Sequence, residues 1–461
     1  MNSLLNYKYV CLLGIGGIGM SALARFFSAK GVRVCGYDLT KSEITQLLED
    51  AGAKITYSDE LSLFDKELTS ANTLVIYTPA VPKELRICKY VEEKGFTIMK
   101  RAEVLGEISR MYKTLAVAGT HGKTSVSTLL AHIMYCSDKQ CLGILGGVSL
   151  NYNSNLLLPT QKTKWMVTEA DEFDRSFLQL SVQKAIITAV DADHLDIYLN
   201  YENLKQAYRD FVDRIEQGGV LITKPELTWV AEHRKDLKIY TYSANVNSQA
   251  DLCPTRIEKH GLGYSMDVKT PIGLIENIKF NIPGEVNIEN TVAAIAVASL
   301  SEATSLDISR AVASFLGVHR RFQIVYSAED MVYIDDYAHH PEEVRATLNS
   351  VRKYFPDKNI VGIFQPHLFS RTRDFADDFA ECLNLLDKCY LLDIYPAREK
   401  PVDGVTSALI ANKMLNKDIK IVDKSEILSI VEELTNSVLL TIGAGDIGKE
   451  APKILSLLHS R

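Results

Sequence analysis

Short apolar runs recur along the first hundred residues, each followed by a stretch with helical spacing. YKYVCLLG, VRVCGYD, TLVIYT and TIMK read as strands, and SALARFFSAKG and SEITQLLEDAG as helices that each end at the glycine a helix C-terminus favours. That alternation predicts βαβ units and a parallel, doubly wound sheet. A second unit begins at 114–134, TLAVAGTHGKTSVSTLLAHIM, with strand, glycine loop and helix in succession, and WMVTEAD, KAIITAVDAD and VLITK add strands. TRIEKHGLGYSMDVKTPIGLIENIKFNIPGE alternates between turn glycines and predicts a small antiparallel patch. ENTVAAIAVASLSEAT and SLDISRAVASFLG are helical. A third unit opens with MVYIDDYAHHPEEVRATLNSVRKYF, strand then helix, and continues through strands in NIVGIFQP, CYLLDIYP and SVLLTIGAG. The expected fold is α/β in three domains, 1–104, 105–318 and 319–461.

Composition narrows the class. A chain of 461 residues is too long for one ordinary core, and 46% apolar with 24% charged residues is that of a globular protein. The net charge of −7 argues against nucleic acid as a partner, although a local group of Arg and Lys can still receive an anionic substrate. The eight cysteines, Cys11, Cys35, Cys88, Cys136, Cys141, Cys253, Cys382 and Cys389, form no CxxC pair and are expected to be reduced thiols. The uncharged stretch between Lys8 and Arg25 carries four glycines and is too short to span a bilayer. These features predict a cytoplasmic protein with no membrane partner.

Two glycine loops carry candidate chemistry. In GTHGKTS the glycines let backbone N–H groups turn toward phosphate oxygens, Lys123 supplies a cation, and the Thr124 hydroxyl can bind Mg²⁺. Val117 stands where the full Walker pattern has its first glycine, so the match is the shorter GxxGK[ST], Gly119 to Thr124, placed between a strand and a helix. Gly119, Thr120, His121, Gly122, Lys123, Thr124 and Ser125 are therefore nucleotide-site candidates. Two strands run into acidic clusters, Glu169, Asp171, Glu172 and Asp174 after WMVT, and Asp191, Asp193, His194 and Asp196 after AIITAV. The carboxyl ends of parallel strands form the functional edge, so both clusters are expected to face the loop as metal ligands. The first loop, GIGGIG, meets GxGxxG through Gly14, Gly16 and Gly19, with Asp38 further on. Alone it would suit an NAD(P)-dependent oxidoreductase, which leaves GTHGKTS unexplained; a nucleotide-switch protein would leave the C-terminal His and Arg motifs without a task.

GTHGKTS, EADEFDRSF and DADHLDIY, in this order, resemble the ATP-dependent Mur ligase family. GIGGIGMSALA, KRAEVLGEI at 100–108, NIEN at 287–290, RRF at 320–322, DDYAHHPEEV at 335–344, QPHLFSRTRDFADDF at 365–379, LLDIYPAREKPVDGVTS at 391–407 and GAGDIG at 443–448 extend the likeness along the chain, toward the members that add L-alanine. The resemblance implies a Rossmann-like UDP-binding domain, a central ATPase domain and a C-terminal α/β domain. It implies ATP-dependent joining of L-alanine to the carboxylate of UDP-N-acetylmuramate through an acyl phosphate, with two Mg²⁺ ions and Mn²⁺ as a substitute. The alternative within the family adds a recycled tripeptide to the same sugar nucleotide.

Carried over by motif, Lys123, Glu169, His194 and Arg321 are the expected catalytic residues, and Thr124, Glu169 and His194 the metal ligands. Asn287 and Asn290 match the adenine region, and Arg321 reaches the ATP phosphates. Gly14, Gly16, Gly17, Ile18, Gly19, Asp38 and Arg101 are assigned to the UDP-sugar, and Tyr337, His339, His367 and Arg371 to the amino acid. Three positions depart from the family pattern: Val286 stands for a common histidine, Leu368 for a common arginine and Ala338 for a common glycine.

Overall fold

In the computed structural model, residues 1, 2, 65, 66, 192–194, 398, 416 and 417 lie outside the described residues. The chain divides into two compact units. The first holds Met1–His260, Tyr264–Asn281 and Glu289–Leu316; the second holds Gly261–Gly263, Ile282–Ile288 and Gly317–Arg461.

The first unit begins with a five-stranded sheet of β1 (Tyr9–Leu13), β2 (Arg33–Tyr37), β3 (Lys54–Thr56), β4 (Thr73–Tyr77) and β5 (Thr97–Lys100), in the order β3-β2-β1-β4-β5. Every neighbour is parallel. All five positions of β1 are buried, which is why the strand reads as an apolar run and not as an alternation. The chain leaves β1 toward β2 on one side and returns to β4 on the other, so the loop 14–17 lies at the switch point where such sheets bind ligands.

The second sheet comprises β6 (Lys113–Ala118), β7 (Leu142–Ser149), β8 (Ser154–Leu157), β9 (Trp165–Glu169), β10 (Val182–Ile187), β11 (Ile215–Thr223) and β12 (Lys238–Thr241), ordered β12-β11-β10-β6-β9-β7-β8. Only β8 is antiparallel to its neighbour. The β7–β8 hairpin was not legible as strands: LGILGGVS carries three glycines and SNLL is four residues long. The antiparallel patch is the sheet β13 (Cys253–His260), β14 (Gly263–Thr270) and β15 (Gly273–Phe280). One hydrophobic core joins the first two sheets, with Val104, Leu105 and Ile108 of the helix Arg101–Ser109 lying in it beside Phe26, Phe27 and Met166.

Polar residues mark where helices start. Ser42 and Thr45 form a reciprocal capping box, as do Thr304 and Asp307, and Asn200 accepts from Asn203 N at 2.9 Å.

The second unit contains β16 (Gln323–Ser327), β17 (Met331–Asp336), β18 (Asn359–Phe364), β19 (Lys388–Leu391), β20 (Ile419–Ile421) and β21 (Ser437–Ile442), ordered β16-β17-β21-β18-β19-β20. It is parallel except at β16, an edge strand with no fully buried position and hence no apolar signature. The fold class expected from the sequence, α/β with mostly parallel sheets, is the one observed.

Candidate active site

The glycine loop after β1 is held from below. Gly14 N and Ile15 N donate to the Tyr37 carbonyl at 2.8 and 3.0 Å, and Gly16 N donates to Asp38 Oδ2 at 2.7 Å. The helix Ile18–Ala29 starts at Gly17 with no side-chain cap, so its first turn presents backbone N–H groups and the positive end of its dipole. Buried Asn155 of β8 donates to the Ile18 carbonyl at 2.6 Å and to Ser21 Oγ at 3.0 Å, fixing that turn. A Cβ on Gly19 would meet the Arg101 guanidinium at 3.0 Å, so the arginine lies directly against the start of the helix. Gly14, Gly16, Gly17, Ile18, Gly19, Asp38 and Arg101 are thus brought together.

The second loop follows β6. Gly119 and Gly122 have φ of +130° and +80°, a backbone that L side chains rarely adopt; a Cβ would also meet Thr188 Oγ1 at 2.1 Å and Asn290 Oδ1 at 2.7 Å, respectively. The end of β10 pins the loop. Thr188 Oγ1 donates to the His121 carbonyl at 2.5 Å, Thr120 N to the Ala189 carbonyl at 3.0 Å, and Asp191 N to Thr120 Oγ1 at 3.1 Å. Asp191 also accepts from Thr120 Oγ1 at 3.2 Å and lies 3.7 Å from His121 Nε2. Gly122 caps the helix Lys123–Cys136 without a side-chain bond, and Ser125 lies in its first turn.

Three carboxylates, one closing β9 and two just after it, meet three different groups. Glu169 receives Thr124 Oγ1 at 3.1 Å on both oxygens. Asp171 lies 3.6 Å from the Arg101 guanidinium. Glu172, fully buried, accepts from Lys123 Nζ at 2.7 Å, and Lys123 Nζ also donates to the Gly119 carbonyl at 2.7 Å. Burial works against the Lys123 charge, yet Glu172, Asp171 and Glu169 outweigh it and raise the ammonium above its ordinary pKa. The expectation that this acidic cluster as a whole faces a metal is corrected: Asp174 is exposed in a left-handed turn with Arg175, and Asp171 and Glu172 are engaged with cations. In the second acidic cluster, Asp193 and His194 lie outside the described residues, as does the side chain of Asp196.

The donor set beside Lys123 suits Mg²⁺. A hydroxyl and a carboxylate converge, and hard oxygen ligands with few protein contributors are what that ion takes when phosphate oxygens complete its shell. Among the described residues no group of three or more His, Cys, Asp or Glu could hold a metal unaided.

In the second unit, Arg321 lies over the Tyr337 ring at 5.0 Å, while Arg320 is committed to Asp335 at 3.1 Å and to the Gly443 carbonyl at 2.5 Å. Tyr337, His339, His367 and Tyr395 form a chain of rings with successive centroids 5.4, 5.7 and 5.8 Å apart. His339 Nδ1 faces two acceptors, the Tyr337 carbonyl at 3.0 Å and Glu343 at 3.3 Å; that places its proton on Nδ1 and leaves Nε2 as the acceptor. Burial, aided by Arg371 and Arg321 against the pull of Glu343, lowers the His339 pKa to about 4, so the ring is neutral. Asp336, buried, accepts from Phe322 N, Ala338 N and Thr347 Oγ1, tying RRF to DDYAHH; burial raises its pKa to about 6. Leu368 is buried, with φ of +71°, at the head of the helix that carries Arg371. Asn287 belongs to this unit and donates to the Pro283 carbonyl at 2.6 Å, whereas Asn290 belongs to the first unit.

Sequence reasoning had named Glu172 only within an acidic cluster and assigned no role to Tyr395, Glu343 or Asn155. Tyr395, Glu343 and Glu172 lay within quoted motifs, Glu343 four residues after His339, and that was their only signal; Asn155 is a partner chosen by tertiary contact.

Comparison with known proteins matches residues 10–113 to "Mur ligase family, catalytic domain", 117–298 to "Mur ligase middle domain" and 320–447 to "Mur ligase, glutamate ligase domain". The UDP-N-acetylmuramate–L-alanine ligase of Christiangramia forsetii is 42% identical over 463 residues, covering 100% of both chains. The enzyme of the same name from Porphyromonas gingivalis is 46% identical over 445 residues, 96% of this chain and 97% of that protein. The crystal structure of UDP-N-acetylmuramate–alanine ligase MurC from Thermotoga maritima has a TM-score of 0.82 at 26% identity, covering 98% of this chain and 99% of its own. A murein peptide ligase from Psychrobacter arcticus, at 22% identity and a TM-score of 0.72 over 98% and 99% of the two chains, shares the fold.

Proposed function

The chain belongs to the Mur ligase family, and from that premise we propose that it joins L-alanine to the carboxylate of UDP-N-acetylmuramate with cleavage of ATP, in cytoplasmic peptidoglycan precursor synthesis. The observation that carries the reading is the meeting of Lys123 and Thr124 with the carboxylates 169–172, on a unit that also holds the glycine loop 14–19.

A carboxylate is a poor electrophile, because its charge repels a nucleophile and oxide does not leave. Transfer of the γ-phosphoryl group makes an acyl phosphate, whose leaving group is phosphate; the uncharged amine of alanine then attacks through a tetrahedral oxyanion. Both steps spread charge over oxygens, so positioned cations and exclusion of water supply most of the catalysis.

In this scheme the first-turn N–H groups at Ile18 and Gly19 take the diphosphate of the sugar nucleotide, with Asp38 holding the loop and Arg101 beside it. The loop Gly119–Ser125 takes the ATP phosphates, and Lys123 neutralises the transferred group. Asn287, Asn290 and Arg321 serve the nucleotide. Thr124 and Glu169 would hold Mg²⁺ (or Mn²⁺), with His194 assigned to a second ion, and the metal when bound would neutralise charge on the phosphate oxygens. Arg371 pairs with the alanine carboxylate. The bare Nε2 of neutral His339 accepts from the alanine amine, with Tyr337 and His367 enclosing it.

The test is mass analysis of the product from UDP-N-acetylmuramate offered a mixture of amino acids and the recycled tripeptide. The expected product carries one alanine; a tripeptide adduct in preference would move the assignment to the recycling ligase. Phosphate release is expected to need both acceptor and amino acid, and Lys123→Ala to abolish it. Equal release without the sugar nucleotide would sink the ligase reading.

A further inference from the structure

Lys123 and Glu172 form a pair whose geometry goes beyond charge compensation. Glu172 has no exposed surface, and its carboxylate accepts from Lys123 Nζ at 2.7 Å. Burying an ion pair costs desolvation that its attraction barely returns, so stability is a weak reason for this pair. Its placement offers a stronger one. An ammonium has three N–H donors, and Lys123 gives one to Glu172 Oε1 and one to the Gly119 carbonyl, both at 2.7 Å. The third donor is the remaining one.

The carboxylate that does this stands on a fixed base. The Glu172 carbonyl receives the hydroxyl of buried Tyr198 at 2.5 Å and Arg175 N at 3.0 Å. Its neighbours hold other groups: Thr124 meets Glu169, and Arg101 lies by Asp171. A lysine on a four-carbon stem otherwise loses much rotamer freedom when it meets a phosphate, and holding it beforehand lowers that cost.

We propose that Glu172 is a positioning residue, which with the Gly119 carbonyl aims the remaining N–H of Lys123 at the transferred phosphoryl group. The proposal rests on the reading that Lys123 neutralises that group.

Three variants test it: Glu172→Gln, which keeps an acceptor oxygen at the same reach without the charge; Glu172→Asp, which keeps the charge one methylene short; and Lys123→Ala. Phosphate release coupled to amide formation is followed at saturating substrates, with KM for ATP and for UDP-N-acetylmuramate measured separately. Positioning predicts that Glu172→Gln retains kcat within about tenfold, and that Glu172→Asp loses on the order of a hundredfold, since displacement by about 1 Å costs that much. Both KM values should stay within about threefold, and the Mg²⁺ dependence of Glu172→Gln should match the parent. The reverse order, Asp active and Gln inactive, overturns the proposal, because the charge would then be what Glu172 supplies. Equal full activity in both variants overturns it too. An unchanged rate in Lys123→Ala would instead remove the underlying phosphate role, a separate outcome.

Discussion

A Cβ on Gly146 would lie 1.8 Å from Oε2 of Glu169, so the carboxylate that faces Thr124 occupies space left by a missing side chain on β7. Gly146→Ala is expected to push Glu169 away from Thr124, lowering kcat about a hundredfold and raising the Mg²⁺ concentration for half-maximal rate about tenfold. A Mg²⁺ titration of the variant checks this, and an unchanged profile would remove Glu169 from the metal. Asp38 acts at the same scale on the other loop. Because its Oδ2 takes the Gly16 N–H, Asp38→Ala should loosen the turn and raise KM for UDP-N-acetylmuramate about tenfold, leaving KM for ATP unmoved.

At the scale of elements, the helix that carries Lys123 is anchored by a histidine. His132 meets the Tyr152 hydroxyl at 2.6 Å through Nδ1 and Ser314 Oγ at 3.0 Å through Nε2, joining this helix to the β7–β8 turn and to the end of the helix Ser305–Ser314. Burial lowers its pKa to about 4, from about 6.5 when unfolded, so the unfolded chain binds the extra proton between those values. The stabilisation is therefore complete above pH 6.5 and declines as pH falls toward 4. His339 acts in the same direction in the second unit, and Asp336, with its raised pKa, in the opposite one. Both tryptophans, Trp165 and Trp229, lie in the first unit and report its unfolding in urea. Between pH 6.5 and 5 the parent should lose about 2 kcal/mol more than His132→Gln; parallel curves would show that His132 titrates normally.

At the scale of the molecule, two phosphate-type loops about a hundred residues apart share one unit, and Arg101 lies against Gly19 of the first and 3.6 Å from Asp171, whose neighbours Glu169 and Glu172 meet Thr124 and Lys123 of the second. That arrangement predicts energetic coupling of the sugar-nucleotide and ATP sites through one side chain. In a double-mutant cycle with Arg101→Ala and Asp171→Ala, UDP-N-acetylmuramate binding measured by calorimetry should show a coupling of about 1 kcal/mol. Additive losses would mean that the two residues serve separate sites.

Much of this was legible in the residues alone. Buried parallel strands carry long apolar runs, and helices stop at glycine, so the α/β class and most strands followed from pattern; β3, β7, β8, β12, β16 and β20 did not, being glycine-rich, short or half-exposed. Both glycine loops, with Lys123 and Thr124, pointed to phosphate chemistry by residue type and spacing, which is the assignment we propose for them. Tertiary structure decided how the carboxylates of EADEFD are shared among Thr124, Arg101 and Lys123. Glu169 closes β9, but Asp171 and Glu172 lead into an irregular turn that includes two left-handed residues, Asp174 and Arg175, where no helical or strand period assigns a direction to a side chain. It likewise brought Tyr395 to His367 and Asn155 to Ile18, because partners distant in sequence meet only when separate elements pack.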